Sequence, residues 1–291
     1  MPSKTSVFSI ISLFVLVAGI CLAPGCSSDN DAIKHYGIKE ESIIWDGVNR
    51  SYLIYIPFSY NITKEMPLVI CLHGGGGTGE DMVALTQGGF NEMAETKGFV
   101  VVYPDGTSFS ESPKVRWNDG RHEDYSQADD VGFISSLIDH LVQTLNVDQK
   151  RVYITGISNG AHMTMRLARE ISGKIAAVAP VAYSMQEKYE LQPVASMPIP
   201  VLIMTGTEDP ITPWDGGEVP DPYNIRMLGI ILSVPETVDI FVSHNGCSTT
   251  PAVTYEPDRD PGDGTLVRKE VYGNGSGGSE VLLYAIEGGG H

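Results

Sequence analysis

Ser158 stands at the centre of Gly156-Ile157-Ser158-Asn159-Gly160, directly after the apolar run Arg151-Val152-Tyr153-Ile154-Thr155 and just before a stretch of helical character. A Gly-x-Ser-x-Gly pentapeptide between a strand and a helix is the pattern of a nucleophile elbow. Such a turn is so tight that the residues two before and two after the serine must be nearly free of side chain, hence glycine at both. The helix expected from residue 159 to about residue 170 directs its N-terminal dipole and N–H groups toward the serine oxygen. A hydroxyl so placed is suited to attack a carbonyl carbon.

A serine hydroxyl near neutral pH needs an adjacent base, usually a histidine oriented by a carboxylate. In strand–elbow–helix architectures the chain order is Ser, then Asp or Glu, then His, which permits elimination. Of the seven histidines, His35, His73, His122, His140 and His162 precede or adjoin the elbow, leaving His244 and His291. His244 falls near the end of an expected helix, where a capping or solvated role is the simpler reading. His291 closes Glu287-Gly288-Gly289-Gly290-His291 directly after the apolar run at residues 281–286. A glycine turn at a strand end lets an imidazole reach back over a sheet, so His291 is the expected base.

The acid belongs at the end of the preceding parallel strand, where residues 200–204 run into Thr205-Gly206-Thr207-Glu208-Asp209-Pro210. Asp209 is preferred because the Asp-Pro pair sets the turn, with Glu208 as the alternative. Two backbone N–H groups must also receive the oxyanion: Asn159, next after the nucleophile, and the region of Gly75 in His73-Gly74-Gly75-Gly76-Gly77-Thr78-Gly79. Glycines let that backbone close on a substrate carbonyl. The loop lacks the Gly-Lys-Ser/Thr ending of a phosphate-binding loop.

The elements that must position these groups read as strands at residues 51–56, 67–72, 99–103, 152–155, 177–181, 200–204 and 280–286. Several are continuous apolar runs, the mark of strands covered on both faces. Helical patterns at 80–96, 131–145, 161–171 and 236–245 alternate with them. That alternation predicts an α/β fold with a mostly parallel sheet and helices on both faces, and ligands bound beyond the carboxyl ends of the strands. Residues 257–264 read as a hairpin loop; the spacing of Asp258, Asp260 and Asp263 and the lack of a closing glutamate fit a plain turn rather than a calcium loop.

A net charge of −17, dispersed along the chain, argues against nucleic acid or an anionic membrane surface as partner. Residues 1–25 carry Lys4 and an apolar run at 7–22, the pattern of an export signal. Gly25-Cys26 before a polar tether (26–40) fits either lipidation at Cys26 or ordinary cleavage, which places the protein outside the cell or in the periplasm, anchored to the outer membrane in the first case. One domain is expected over residues 41–291. Cys71 lies in an apolar strand and Cys247 in a loop; a bridge between them has no support in the sequence, and no metal-binding spacing occurs.

With these residues in hand, residues 43–291 resemble the extracellular polyhydroxybutyrate depolymerase-type esterases, which include feruloyl and acetylxylan esterases of carbohydrate esterase family 1. Beyond the elbow the resemblance rests on Trp117-Asn118-Asp119-Gly120, Asp129-Asp130-Val131-Gly132-Phe133-Ile134, Val147-Asp148 with Arg151-Val152-Tyr153, Pro213-Trp214-Asp215-Gly216-Gly217, Asn245-Gly246-Cys247 and Gly288-Gly289-Gly290-His291. It implies an α/β-hydrolase fold, secretion, no cofactor, no metal, and Ser158, Asp209 and His291 as a triad acting on polyester oligomers or acylated plant polysaccharides. It also implies that Asp129 and Asp130 start a helix and fix a loop. Trp117 and Trp214 become candidates for lining the acyl pocket, with core packing the other reading of Trp117. Members of the family continue past the histidine, so the chain is expected to be incomplete there. The family's partner for Cys247, around residues 274–279, is missing, and the expected state is a monomer. The rival expectations are a peptidase of prolyl-oligopeptidase type, which shares the elbow and the order, and a non-catalytic polysaccharide binder on the same fold.

Overall fold

The computed structural model describes residues 36–109, 112–121, 128–192, 194–220 and 227–291. The expected export signal, the Cys26 anchor and the first part of the tether lie outside the described residues. Strand β1 (Gly37–Trp45) begins before the expected domain start at residue 41 and pairs antiparallel with β2 (Val48–Ile56). Their turn is Asp46-Gly47, with φ of 50° and 75°, the double left-handed conformation that makes Asp-Gly a strong hairpin signal.

The chain continues through β3 (Met66–Leu72), α1 (Gly79–Leu85), α2 (Gly89–Lys97), β4 (Val100–Pro104), the short hairpin β5 (Thr107–Phe109) and β6 (Ser112–Arg116), α3 (Asp130–Leu145), β7 (Val147–Ile157) and α4 (Asn159–Glu170). After these come β8 (Ala177–Val181), β9 (Val201–Gly206), a second small hairpin β10 (Gly217–Pro220) and β11 (Met227–Ile231), α5 (Val234–Asn245), β12 (Ala252–Tyr255), β13 (Leu266–Tyr272) and β14 (Val281–Glu287). The main sheet runs β1-β2-β4-β3-β7-β8-β9-β14-β13-β12. From β4 to β14 its neighbours are parallel, and antiparallel pairs flank them at both edges.

Two apolar cores sandwich this sheet, because strand side chains alternate between faces. Along β3, Leu68, Ile70 and Leu72 join α3, α4 and α5 on one side. Val69 and Cys71 join Met82, Phe90, Met93 and Ala94 of α1 and α2 on the other. The expected parallel sheet with helices on both faces is therefore present.

The helix expected over residues 80–96 is two helices. Gln87 and Gly88 both adopt left-handed φ, 50° and 72°, so α1 ends and α2 restarts at Gly89 in a new direction. Strands β1, β12 and β13 lack continuous apolar runs because they are edge or near-edge strands. Such strands mix charged residues with apolar ones, as Arg268, Lys269 and Glu270 do in β13. The loop between β12 and β13 is a turn in which Asp258, Asp260 and Asp263 accept the N–H groups of Asp260, Gly262 and Thr265.

Candidate active site

Strand β7 runs directly into Ser158, whose φ of 55° and ψ of −117° lie outside the comfortable regions for an L-residue. The strain is held by packing. A Cβ on Gly156 would lie 2.5 Å from the Gly160 carbonyl, and one on Gly160 would collide with the carbonyls of Leu72 and His73. Only glycine at both positions lets β7, β3 and α4 close together. The Ser158 N–H donates to the Val181 carbonyl at 2.9 Å. Its hydroxyl makes no cap bond to its own helix.

Asp209 is 4% exposed on the turn after β9. Its Oδ1 accepts the N–H groups of Ile211 and Thr212, each at 2.8 Å, and its Oδ2 faces His291 Nδ1 at 2.8 Å. Burial alone would push the Asp209 carboxyl up, but the hydrogen bonds from His291, Thr212 and Ile211 outweigh it and hold the group below its ordinary value. Glu208 is exposed, and its N–H is spent on the Gly289 carbonyl at 2.9 Å. His244 sits at the end of α5 with Nε2 against the Met197 carbonyl. The structure thus brings Asp209 and His291 together and leaves Glu208 and His244 apart from them.

His291 is delivered by lacing two loops. The Thr207 N–H donates to the Ile286 carbonyl at 3.0 Å, and the Gly288 N–H donates to Thr207 Oγ1 at 2.9 Å. Gly206 lies under this crossing, where a Cβ would strike the carbonyls of Gly289 and Gly290. Gly206 carried no sequence signal of its own, since the collision involves residues more than eighty positions away.

The glycine loop is fastened from three sides. The Gly76 N–H donates to the Val115 carbonyl of β6 at 2.7 Å, and the Gly77 N–H to the Gly74 carbonyl at 3.1 Å. The His73 ring, 1% exposed, accepts the Gly106 N–H on Nε2 at 3.0 Å and donates from Nδ1 to the Gly74 carbonyl at 2.7 Å. Those two bonds require the neutral ring, and burial pushes its pKa down in the same sense. Trp117 donates its indole N–H to the His73 carbonyl at 3.0 Å and packs on the ring at 4.9 Å. It is 2% exposed, which corrects its candidacy for the acyl pocket: the indole supports the loop from the core. Trp214 is half-buried against the same core, and its carbonyl receives the Val234 N–H; it does not line the cavity at the serine.

Asn159, singled out for its backbone, also uses its side chain. The carboxamide bonds the Trp117 backbone on both sides and donates to Asp119 at 2.5 Å. Asp130 pairs with Arg50 at 2.7 Å and accepts the Asn118 N–H, while Asp129 caps α3 through the Gly132 N–H. Cys71 and Cys247 are both free thiols; Cys247 Sγ lies 3.8 Å from the Ser279 carbonyl.

Ser158 and His291 line one cavity of about 290 Å³ with His73, Gly74, Gly75 and Gly77, and with the apolar side chains of Met82, Leu85 and Ile157. A Cβ on Gly74 would be 3.8 Å from that of Ser158, so the glycine loop lies beside the nucleophile position. Fold and site together define an α/β-hydrolase of the serine carboxylesterase type. The family model described as "Esterase PHB depolymerase" matches residues 50–189. A putative esterase, NocK, of Nocardia uniformis is 30% identical over 86% of this chain and 72% of its own length. By these matches the chain belongs to the esterase PHB depolymerase family. Feruloyl esterase B of Piromyces equi is 29% identical over 83% of the chain, and poly(3-hydroxyalkanoate) depolymerase C of Paucimonas lemoignei is 26% identical over 77%. The chain spans only 42% and 54% of those two proteins. The solved acetyl xylan esterase of Aspergillus awamori shares the fold, with a TM-score of 0.55 and 17% identity over 87% of this chain and 94% of that one.

Proposed function

We propose that the protein hydrolyses carboxylic esters through an acyl-enzyme, with Ser158 as nucleophile, His291 as base and Asp209 as the group that orients the base. Ser158 Oγ attacks the ester carbonyl carbon while His291 Nε2 takes its proton. The oxyanion is received by the N–H groups of Asn159 and the Gly75 region. Collapse expels the alcohol, which leaves with the proton from His291, and water attacking by the same route releases the acid and restores the serine.

The observation that carries this reading is the 2.8 Å bond from His291 Nδ1 to a buried Asp209 beside the cavity shared by His291 and Ser158. That bond leaves Nε2 as the nitrogen available to the serine. Met82, Leu85 and Ile157 favour short apolar acyl groups, and the relatives' names suggest hydroxyalkanoate, acetyl and feruloyl esters as the panel to try. Residues 1–25 support export, with Cys26 as the candidate lipid attachment point.

Ser158→Ala should abolish hydrolysis of p-nitrophenyl butyrate and labelling by a fluorophosphonate probe while leaving the unfolding midpoint in place. Unchanged turnover in that variant removes the mechanism. A wild-type protein that neither turns over nor labels would instead favour the non-catalytic polysaccharide binder.

A further inference from the structure

Helix α1 stands between two depressions. Glu80 and Val83 face one of them, with Ile38 of β1 and Leu53 of β2. Asp81, Met82 and Leu85 face the other, the cavity of about 290 Å³ that holds Ser158 and His291. The division follows from helical spacing, since residues three and four apart share a face. Asp81 and Leu85 are four apart, as Lys or Glu partners on a helix surface are, and Met82 and Leu85 are three apart.

Asp81 is fixed where it stands. Its Oδ2 accepts the Thr78 N–H at 2.9 Å and the Thr78 hydroxyl at 3.0 Å, while its own N–H donates to Thr78 Oγ1 at 3.2 Å. This reciprocal cap at the start of α1 keeps the side chain against the glycine loop. A Cβ on Gly77 would lie 3.7 Å from that of Asp81. The Asp81 charge reaches the His73 ring, as does that of Asp105.

Among the described residues that line this cavity, Asp81 alone carries a formal charge with histidine counted neutral. His73 is held neutral by its two hydrogen bonds, and His291 must be neutral to accept the serine proton. No Lys or Arg of the described residues pairs with Asp81. The rest of the α1 wall is apolar, with Met82 buried and Leu85, 60% exposed, carrying it out to the rim. An anion entering here sheds part of its hydration beside a fixed like charge and meets no cation to offset it, and apolar walls strengthen that repulsion.

We propose that Asp81 is a specificity-determining residue, by which the site selects esters uncharged near the scissile bond and rejects those carrying a free carboxylate there. The inference rests on the esterase reading and narrows its substrate class. The same charge acts on the product. Hydrolysis of the acyl-enzyme joins the oxygen of water to the acyl carbon, breaks the bond to Ser158 Oγ and returns a proton to that oxygen. The acid so formed gives its own proton to the solvent at neutral pH. A neutral ester therefore enters the cavity and an anion must leave it, so Asp81 favours substrate over product.

The test measures kcat/KM by pH-stat near neutral pH in about 10 mM salt, where charges are felt over about 30 Å. Two pairs serve: monomethyl adipate against methyl adipamate, with the charge on the acyl side, and 4-acetoxybutanoate against 4-acetoxybutanamide, with it on the alcohol side. On at least one scaffold the amide should be preferred by about threefold to tenfold, the scale of repulsion between two partly hydrated unit charges several ångströms apart. Asp81→Asn, which keeps an acceptor for Thr78, should remove most of that preference. Glu80→Gln makes the same change of net charge beside the other depression and should leave it in place. Equal rates within both pairs in the wild type overturn the assignment. So does a preference that Asp81→Asn leaves unchanged, or that Glu80→Gln lowers as far.

A further variant leaves the cap of α1 untouched. Leu85→Lys, at an exposed position one turn from Asp81, sets a cation beside the same carboxylate and should abolish or reverse the preference for the amide; an unchanged preference there also overturns the assignment. Butyrate should inhibit Asp81→Asn at about threefold lower concentration than it inhibits the wild type, and identical inhibition would contradict the effect on product. The esterase reading fails separately. A wild type that cleaves none of the four esters and no p-nitrophenyl butyrate removes the enzyme, whereas equal cleavage of acid and amide keeps the enzyme and removes the role of Asp81.

Discussion

The carboxamide of Asn159 clasps the backbone of Trp117 at two points, accepting its N–H at 2.8 Å and donating to its carbonyl at 3.1 Å. Trp117 in turn holds the His73 carbonyl through its indole. The residue after the nucleophile therefore also supports the loop that faces the nucleophile. Asn159→Ala leaves both Trp117 backbone groups buried without partners, at about 1–3 kcal/mol each in the worst case. The expected outcome is an unfolding free energy lower by about 2–3 kcal/mol, with kcat falling more than KM rises, read by urea titration and steady-state kinetics. Unchanged values for both would show that the clasp contributes nothing.

Gly206 makes room for the glycine turn that brings His291 to Asp209. In Gly206→Ala the added methyl displaces Gly289 and Gly290, so the base moves while the sheet persists. Activity on p-nitrophenyl butyrate should fall by about 10²-fold or more, the scale of an ångström-sized misplacement, with the far-ultraviolet circular dichroism retained. Full activity would mean that the turn relaxes elsewhere.

Asp209→Asn keeps an acceptor for the Ile211 and Thr212 N–H groups but reverses the polarity offered to His291 Nδ1. A drop in kcat of about 10³–10⁴-fold is expected, as when the orienting carboxylate of such a triad becomes an amide. Glu208→Gln serves as the control, since that side chain is exposed. An equal loss in Glu208→Gln would reassign the acid.

His73 and His162 both have pKa values pushed down, chiefly by burial. Below about pH 6.5 the unfolded chain takes up protons at these positions and the folded protein does not, so stability must decline as pH falls through that region. The depressed carboxyl of Asp209 acts later: its contribution is present above the unfolded value near 3.9 and is lost as pH falls toward its folded value. Urea midpoints should therefore drop between pH 7.5 and 5.5, with a shallower slope in His162→Gln. Identical slopes in the two proteins would remove His162 from the account.

Arg50 and Asp130 form an ion pair with exposures of 4% and 0%, and the guanidinium also lies 3.9 Å over the Phe133 ring. Removing one partner of such a pair strands the other charge, so Arg50→Ala should cost about 3–5 kcal/mol. Thermal unfolding provides the measurement, and a shift of under two degrees would contradict it.

Much of this was legible in residue order alone. Apolar runs long enough to be buried on both faces located the parallel strands, because such strands must be apolar throughout. The tight turn demanded glycine at 156 and 160. The Ser, Asp, His order left two histidines and two carboxylates to choose from. Strands such as β1 and β13, whose apolar residues are interrupted by charged ones, showed no such run.

The amino-acid sequence by itself determined the kind of chemistry on offer, since a glycine-flanked serine between strand and helix is a local pattern with a local steric cause. Only the tertiary structure decided which partners meet. It selected His291 and Asp209 through one hydrogen bond across 82 positions, buried Trp117 behind the glycine loop, and exposed the need for glycine at 206. These choices depend on contacts between segments far apart in the chain, and neither composition nor spacing records which distant carbonyl will lie beside a given Cα.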